Sequence, residues 1–541
     1  MSLKYKWSLV AFFGACTALA APQPPVLAMT MNSDAARIEW QGEGGVNYEL
    51  QSSSNVYFTN STSKFLMGRG GSLPVDAAPA GQTSGFWRVR AYNQSTGIGV
   101  ATNGTYAGKL VHYDQSGNQV LLRAFGVNYY DAFMRYLRDS NDTTFVEGFS
   151  YLQEHKIPVI RVLAAGYHPK EWVLYFTNKQ EYYRRLDYFV AQAEQHGVGL
   201  IIDSFFSITT VGEIVDDAVA AGILTPGVNF VPDNPLNIDT NGAPTYAEYT
   251  RDLGRPDSGS NAFITYYMRE LVSRYAGSPA VWGWEFSNEN NNIPDHPELK
   301  LTRKRDTGNG MTLPSTSLDT NVLPAWTGPD DLIRADMETA KANFARTIRS
   351  IDTWRLIMSG DSRPRTAAYH NWKFHNWRMD NRAELAQVLP VDNPAPMDTV
   401  TVHVYSQNPD TNSTVTYFPT DNPITIQWLT GQYKELLDYF SQESAALSRP
   451  LIVGEWGTTG DGTTADEKST FHRFMQALID SGAQISLLWD FDSRNTQMTN
   501  TWWIQTGMVP GYPATPKLYQ ITNDDPDLWD LEQVNRTYGS W

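Results

Sequence analysis

One ten-residue stretch constrains this chain more than any other: V-W-G-W-E-F-S-N-E-N, from Val281 to Asn290. Val281, Trp282, Trp284 and Phe286 are bulky and apolar, the kind of residue that favours a buried strand. The run then breaks into polar residues, with Asn288 and Glu289 at the expected strand end. Several large apolar groups therefore lead to one carboxylate where a strand opens into solvent. Alone, such a pair can simply solvate a loop, so its meaning depends on what else converges there.

A second stretch does converge. Pro450 to Gly457 reads P-L-I-V-G-E-W-G, a short apolar run ending in Glu455 before a Gly-rich loop. In (β/α)8 barrels the C-terminal rim of the strands carries the catalytic side chains. Two carboxylates delivered there by two strands are what cleavage of a glycosidic bond requires. One is protonated and donates to the leaving oxygen; the other is ionised and attacks the anomeric carbon.

On these two motifs the chain resembles the clan A glycoside hydrolases, most of all family 5, which includes cellulases and mannanases. E-F-S-N-E is similar to that family's E-x-x-N-E at strand four, and G-E-W-G to its strand-seven nucleophile motif. The resemblance spans roughly residues 118–520, a barrel-sized stretch with insertions. It implies a (β/α)8 TIM barrel, with Glu289 as acid/base and Glu455 as nucleophile. The implied substrate is a β-linked polysaccharide or oligosaccharide of β-1,4-glucan or β-mannan type.

The 541 residues exceed one ordinary barrel, so a smaller extra domain is expected. A hydrophobic content of 41% with 18% charged residues describes a globular chain able to bury a large core. The net charge of −16 argues against a nucleic-acid partner, because a basic face could hardly arise on that background. A monomer is expected.

Residues 1–21 read as a signal peptide. Lys4 and Lys6 supply the positive start, Trp7 to Ala15 an apolar run, and Ala18-Leu19-Ala20 a small-x-small cleavage site. The run is too short for a permanent span, and no later stretch reaches membrane length. The protein is therefore expected to be secreted, extracellular or periplasmic. Cys16 is the only cysteine, and Phe13-Gly14-Ala15-Cys16 loosely resembles a lipoprotein box. A lipid anchor at Cys16, and an outer-surface location, is the alternative. Loss of Cys16 with the signal peptide would leave a chain without disulfides, stabilised by core size alone.

Residues 25–105 differ from the rest. Ala36 to Trp40, Tyr48 to Gln51 and Phe86 to Ala91 alternate apolar and polar residues between Gly-, Ser-, Asn- and Thr-rich spacers, the pattern of a small all-β sandwich. The region resembles a fibronectin type III domain. Trp40 stands as its core tryptophan, and W-R-V-R-A-Y-N from Trp87 is similar to Y-x-V-x-A-x-N, with Trp87 in place of the tyrosine. A spacer role is expected there, and the catalytic domain follows from 110 to 541.

Within that domain, Leu110 to Leu122 reads as a hairpin, and Ala124 to Tyr129 as strand one, with Tyr129 and Tyr130 expected to pack. Strand two, Ile157 to Leu163, holds a single charge, Arg161, which is costly unless paired. The resemblance places an arginine here beneath the nucleophile. Pairing with Glu455 and pairing with Glu285, another charge inside an apolar strand, both stay open. Strand three ends in Asp203-Ser204-Phe205, where family 5 commonly shows D-x-H. The missing histidine puts one glycone contact in doubt, and with it the substrate.

Strand five is expected at Arg355 to Ser359, and strand six at Asp398 to Ser406 carries His403-Val404-Tyr405. Alternation puts His403 and Tyr405 on one face. The family's H-x-Y implies His403 near the acid/base and Tyr405 bonded to the nucleophile. Trp489 ends strand eight, at Ile485 to Asp490, and matches the family's tryptophan beneath the sugar; a barrel plug is the alternative. Trp502 and Trp503 are further possible platforms. Asn288 is expected to hold the 2-hydroxyl of the sugar.

The 166 positions from Glu289 to Glu455 (455 − 289) exceed three plain βα units by about 70. The surplus is assigned to loops at 291–329, 362–396 and 407–423, with another insertion at 207–256. Long loops over the rim set specificity. No Cys/His cluster, phosphate loop or G-x-S-x-G elbow is present, so no cofactor and no metal is expected. Sequons begin at Asn60, Asn93, Asn103, Asn141, Asn412 and Asn535. Two rival functions stand beside the glucan or mannan hydrolase: a clan A enzyme for another oligosaccharide or glycoconjugate, and an inactive glycan-binding protein.

Overall fold

A computed structural model describes the backbone of six N-terminal strands within 27–93. It also describes 98–491, apart from 103, 114–118, 166–171, 207–210, 212–213, 216–217, 219–220, 225–251, 293, 296–332, 406–413, 428–429 and 459–464, and finally 526–539. Residues 1–21, expected to be a signal peptide and holding Cys16, lie outside the described residues, as do the side chains of Trp40 and Trp87, and Trp502 and Trp503.

The N-terminal strands form two three-stranded antiparallel sheets. Ala35–Trp40 lies between Leu27–Asn32 and Gly71–Val75, and Val46–Ser53 lies between Ser61–Met67 and Phe86–Asn93.

The region from 124 to 488 is built on an eight-stranded parallel sheet. Its strands are β1 (Ala124–Asn128), β2 (Val159–Leu163), β3 (Gly199–Phe205), β4 (Val281–Ser287), β5 (Leu356–Met358), β6 (Val400–Tyr405), β7 (Leu451–Gly457) and β8 (Ile485–Leu488). Hydrogen-bonded neighbours run β5-β4-β3-β2-β1-β8-β7-β6. The seam between β5 and β6 is bridged by Asp398 and Thr399: Ile357 N–H donates to Asp398 Oδ1 (2.9 Å), and Thr399 Oγ1 donates to Ile357 O (3.1 Å). The result is a (β/α)8 barrel. Nearly every strand residue is buried, as expected for parallel strands covered by helices outside and side chains within.

The helix Lys179–His196 shows how local sequence fixes these elements. Asn178 caps its start by accepting from Glu181 N–H (3.1 Å), and Gly197 ends it at φ +65°, a left-handed turn that glycine adopts without strain. Tyr182, Leu186, Phe189, Val190 and Ala193, at helical spacing, face the barrel.

The hairpin of Leu110–Tyr113 and Gln119–Leu121 closes the bottom. Leu110 and Leu122 pack beneath Val159, Ile201, Leu356, Ile452, Ile485 and Leu487, which form an apolar floor. Gln484, buried just before β8, accepts from Leu110 N–H (2.8 Å) and donates to Leu110 O (3.0 Å) and Leu122 O (2.8 Å).

Two connections differ from the expected loops. Residues 362–396 hold the short helices Ala368–Phe374, Arg382–Ala386 and Leu389–Asp392, too brief to leave a readable period. They are set by capping, as where Asn381 and Glu384 satisfy each other's backbone N–H. The connection after β6 holds the hairpin of Val415–Tyr417 and Ile424–Ile426. The sequon at Asn535 is structural: the buried amide accepts from Phe125 N–H (2.9 Å) and donates to Phe125 O (2.8 Å).

Replacing Gln484 by Ala strands the Leu110 N–H and the Leu122 carbonyl, and leaves the Leu110 carbonyl with the Leu122 N–H alone. The expected loss is about 2–3 kcal/mol, read as a lowered midpoint in chemical denaturation. A midpoint equal to wild type would show that the hairpin is not pinned this way.

Candidate active site

Register sets one polar layer above the apolar floor. Asn128 lies opposite Arg161, Leu163 opposite Asp203, Asp203 opposite Glu285, and His403 opposite Glu455. In β7, alternation turns Glu455 inward while Trp456 packs outward, its ring stacked 5.7 Å from Phe474.

Arg161 is completely buried, so its guanidinium must find partners. Nε donates to Glu285 Oε1, Nη1 to Glu455 Oε1 (2.6 Å) and Asn128 Oδ1 (3.2 Å), and Nη2 to Asn288 Oδ1 (3.0 Å). Nη2 also lies 3.6 Å from Asp203 Oδ2, and the guanidinium carbon sits 4.8 Å from the Tyr130 ring centre. Both open pairings of Arg161 thus exist together, with Glu455 above and Glu285 beside it.

One cation faces three buried carboxyl groups: Asp203, Glu285 and Glu455. Burial pushes the Asp203 and Glu285 carboxyls above their ordinary range, with Arg161 pulling the other way. For Glu285, the neighbouring Asp203 and Glu455 add to the rise, and its Oε2 has no hydrogen-bond partner. Asp203 is held by Phe205 N–H (3.1 Å) and by the Tyr130 hydroxyl, which donates to Oδ2. Tyr130 therefore does more than pack, contrary to expectation: it bonds one carboxylate of the layer and covers its arginine. Tyr129 is buried in the core as expected.

Glu289 stands just past β4 in the left-handed region, φ +53°, unusual for a side chain of this size. The turn is held by Glu289 N–H donating to Gly360 O (2.8 Å). Gly360, at φ +71°, is required there, since a Cβ would stand 1.8 Å from Ser287 O. Asn291 locks the same loop to the end of β5, donating to Ser362 O (2.8 Å) and accepting from Ser362 N–H (3.0 Å). The Glu289 side chain remains 34% exposed, so its carboxyl looks onto open space. Partial burial raises its pKa above the usual value; a hydrogen bond from Ser362 and the charges of Arg161 and Arg363 oppose the rise.

His403 Nδ1 lies 3.0 Å from Glu289 Oε1 and 3.6 Å from Glu455 Oε2. Burial lowers its pKa to about 4, so the ring is neutral near pH 7. Its Nε2 has no partner, which leaves the ring proton on Nδ1, donated to Glu289. Tyr405 donates its hydroxyl to Glu455 Oε2. Carboxyl oxygens of Glu289 and Glu455 lie within 4.8 Å of each other.

Trp489 sits half-buried just past β8, its ring tilted against Tyr130 (5.4 Å). Phe205, in place of the histidine, turns away into an aromatic cluster with Trp172 (stacked, 6.0 Å) and Tyr267. The seven sequence-predicted site residues thus lie in one network or at its rim. Asn128, Asp203, Tyr130, Ser362 and Arg363 were missed as site residues. Asp203 and Ser362-Arg363 carried the same signal as Glu289, polar residues at the end of an apolar strand.

Glu289, His403 and Glu455 have the donor types of a cation site, as do His370, Asp380 and Glu384. In the first group, Arg161 and Tyr405 already occupy both oxygens of Glu455. In the second, Asp380 accepts from Tyr369 N–H (2.8 Å), His370 N–H (3.1 Å) and His370 Nδ1 (2.8 Å), and so ties a loop together. Neither donor set is shaped for a metal. No described helix is long and apolar enough to cross a membrane.

Residues 113–495 match the sequence model of the family described as Cellulase (glycosyl hydrolase family 5). No curated protein matches the chain. Among solved structures, the chain is similar to a family 5 mannosidase from Rhizomucor miehei at 13% identity and TM-score 0.47, covering 82% of this chain and 98% of that one. An exo-β-1,4-mannosidase from an Opitutaceae bacterium gives 14% and 0.48, covering 79% and 61%. An endo-1,4-β-D-mannanase from Thermotoga petrophila gives 13% and 0.43, covering 77% and 100%.

A carboxyl whose pKa is raised by folding contributes stability below its unfolded value and loses it as pH rises through the folded value. Wild type should therefore lose stability relative to Glu285→Gln as pH climbs from about 4.5 through the raised Glu285 value, by about 1–3 kcal/mol. Melting curves of both proteins from pH 4 to 9 test this; parallel curves would mean that Glu285 stays ionised.

Proposed function

The chain belongs to glycoside hydrolase family 5 and is a glycoside hydrolase acting on carbohydrate; from that premise we propose that it cleaves a β-linked glycan with retention, by double displacement on Glu455. The observation that carries the reading is the pair Glu289 and Glu455, with oxygens within 4.8 Å and opposite surroundings. Retaining enzymes hold their carboxyls about 5–5.5 Å apart, whereas inverting ones need about 6.5–9.5 Å to admit water.

Glu455, fixed by Arg161 and Tyr405, attacks the anomeric carbon while Glu289 passes its proton to the departing oxygen. The raised pKa of Glu289 suits an acid, and His403 holds that carboxyl by its Nδ1–H without adding charge. Water then attacks the glycosyl-enzyme, with Glu289 as base. Asn288, its carbonyl taken by Arg161, keeps its amide N–H groups for the sugar 2-hydroxyl. Trp489 offers a ring face to the glycone. We assign Met1 to Ala21 to export, with lipidation at Cys16 as the alternative, and 25–105 to a fibronectin type III-like spacer.

β-1,4-Glucan and β-mannan are the first substrates to test. A second reading, another oligosaccharide or glycoconjugate, is favoured by Phe205, which withdraws from the cleft where the family commonly places a histidine.

Reducing-sugar release from β-glucans, mannans, xylan and short oligosaccharides tests the activity, and NMR of the first-formed anomer tests its stereochemistry. Glu455→Ala should lower turnover at least about 10³-fold, and the first product should keep the β-configuration. An α-anomer would refute double displacement.

Glu289→Ala should lose hydrolysis of the glycan yet still form the glycosyl-enzyme from an activated aryl glycoside, whose leaving group needs no proton. A burst of released phenol detects this. Equal loss on both substrates would assign the proton to another group.

A further inference from the structure

Arg363 follows Gly360-Asp361-Ser362 at the top of β5 and is half-buried. Its backbone N–H donates to His403 O (3.4 Å), placing it where β5 meets β6. Among the described residues its guanidinium makes no hydrogen bond and no ion pair, and its Nη1 is shut off from solvent without a partner. The fully buried arginines of the barrel are committed. Arg161 is saturated, Arg334 holds Asp295 and Asp392, and Arg355 donates to backbone carbonyls at Ala276, Ser278 and Val281. A buried donor left unsatisfied costs about 1–3 kcal/mol, so an uncommitted guanidinium at a reaction site points to a ligand.

Its position names which part of the substrate it meets. Ser362, the preceding residue, hydrogen-bonds Glu289, and the charge of Arg363 is felt at Glu289 and at Tyr417 of the hairpin after β6. Glu455 is instead enclosed by Arg161 and Tyr405, and Trp489 lies by Tyr130. Groups that border the proton donor border the unit that leaves with its proton.

The surrounding charge selects the ligand's chemistry. In a chain of net charge −16, residues 363–379 carry Arg363, Arg365, Lys373 and Arg378 and no Asp or Glu. Arg365 stitches this stretch to the loop after Glu289, donating to Asn292 O (2.7 Å) and Pro294 O (2.6 Å), and its guanidinium lies 5.9 Å from the ring of Trp377. Trp377 is itself 42% exposed. A planar fork with free donors, in a stretch whose own charges are all basic, matches a carboxylate better than neutral hydroxyls.

We propose that Arg363 binds the carboxylate of a uronic acid in the leaving-group unit, so that the enzyme prefers glycans acidic on that side of the cleaved bond. The proposal rests on Glu289 being the proton donor.

The test uses matched β-gluco- and β-manno-oligosaccharides whose leaving-group unit is either the hexose or its uronic acid. Wild type should favour the uronate by about tenfold or more in kcat/KM, with the preference shrinking as salt rises. In Arg363→Met the uronate rate should fall further than the neutral one, bringing their ratio near one. Arg363→Lys, which keeps the charge but not the fork, should fall between. Cleavage with no uronate preference, or a preference that survives in Arg363→Met, overturns this proposal alone. Silence toward every oligosaccharide overturns it together with the reading of the site on which it rests.

Discussion

A single buried guanidinium organises this protein's chemistry. Arg161 holds Glu455 from below, Asn288 from the side and Glu285 from behind, while Tyr130 covers its face and Asp203 completes the charge around it. Its partners come from the strands or strand ends of β1, β3, β4 and β7, and meet at this one side chain of β2. Burial of so much charge is expensive. It is tolerated because the carboxyls outnumber the cation and can take up protons, leaving the layer short of full ionisation.

The same economy separates the two glutamates. Glu455 has both oxygens occupied by donors, one of them cationic. Glu289 has a neutral histidine, a serine and an open side. Identical side chains thus stand in unlike surroundings: one carboxyl is enclosed by donors, and the other is raised in pKa by burial and left partly open. The backbone contributes too: the left-handed turn at Glu289 and the close approach of Gly360 aim the carboxyl across the barrel mouth.

Much of this was legible in the sequence, because barrel strands are apolar runs with polar ends. All eight strands, the floor hairpin and the seven site residues could be located by that pattern together with the family's motifs. Arg161 could be found but not assigned, since one charge in an apolar strand does not say which of two carboxylates it meets; the geometry gave both. Tyr130 looked like packing because adjacent tyrosines at a strand end carry no period, yet its hydroxyl reaches Asp203. Arg363 lay in a stretch treated only as connection, where short capped helices replace loops and leave no hydrophobic repeat.

The floor has a consequence for how the chain is assembled. Phe125, in the first strand, has its backbone groups satisfied by Asn535, 410 residues later, and the hairpin at Leu110 is completed by Gln484, 374 residues later. During synthesis at about 5–20 residues per second, the first strand waits for Asn535, 410 positions on, before its last partner appears. The nascent barrel therefore exposes its apolar base until Gln484 and Asn535 emerge. Long-range closure of this kind slows folding and leaves partly built states open to association.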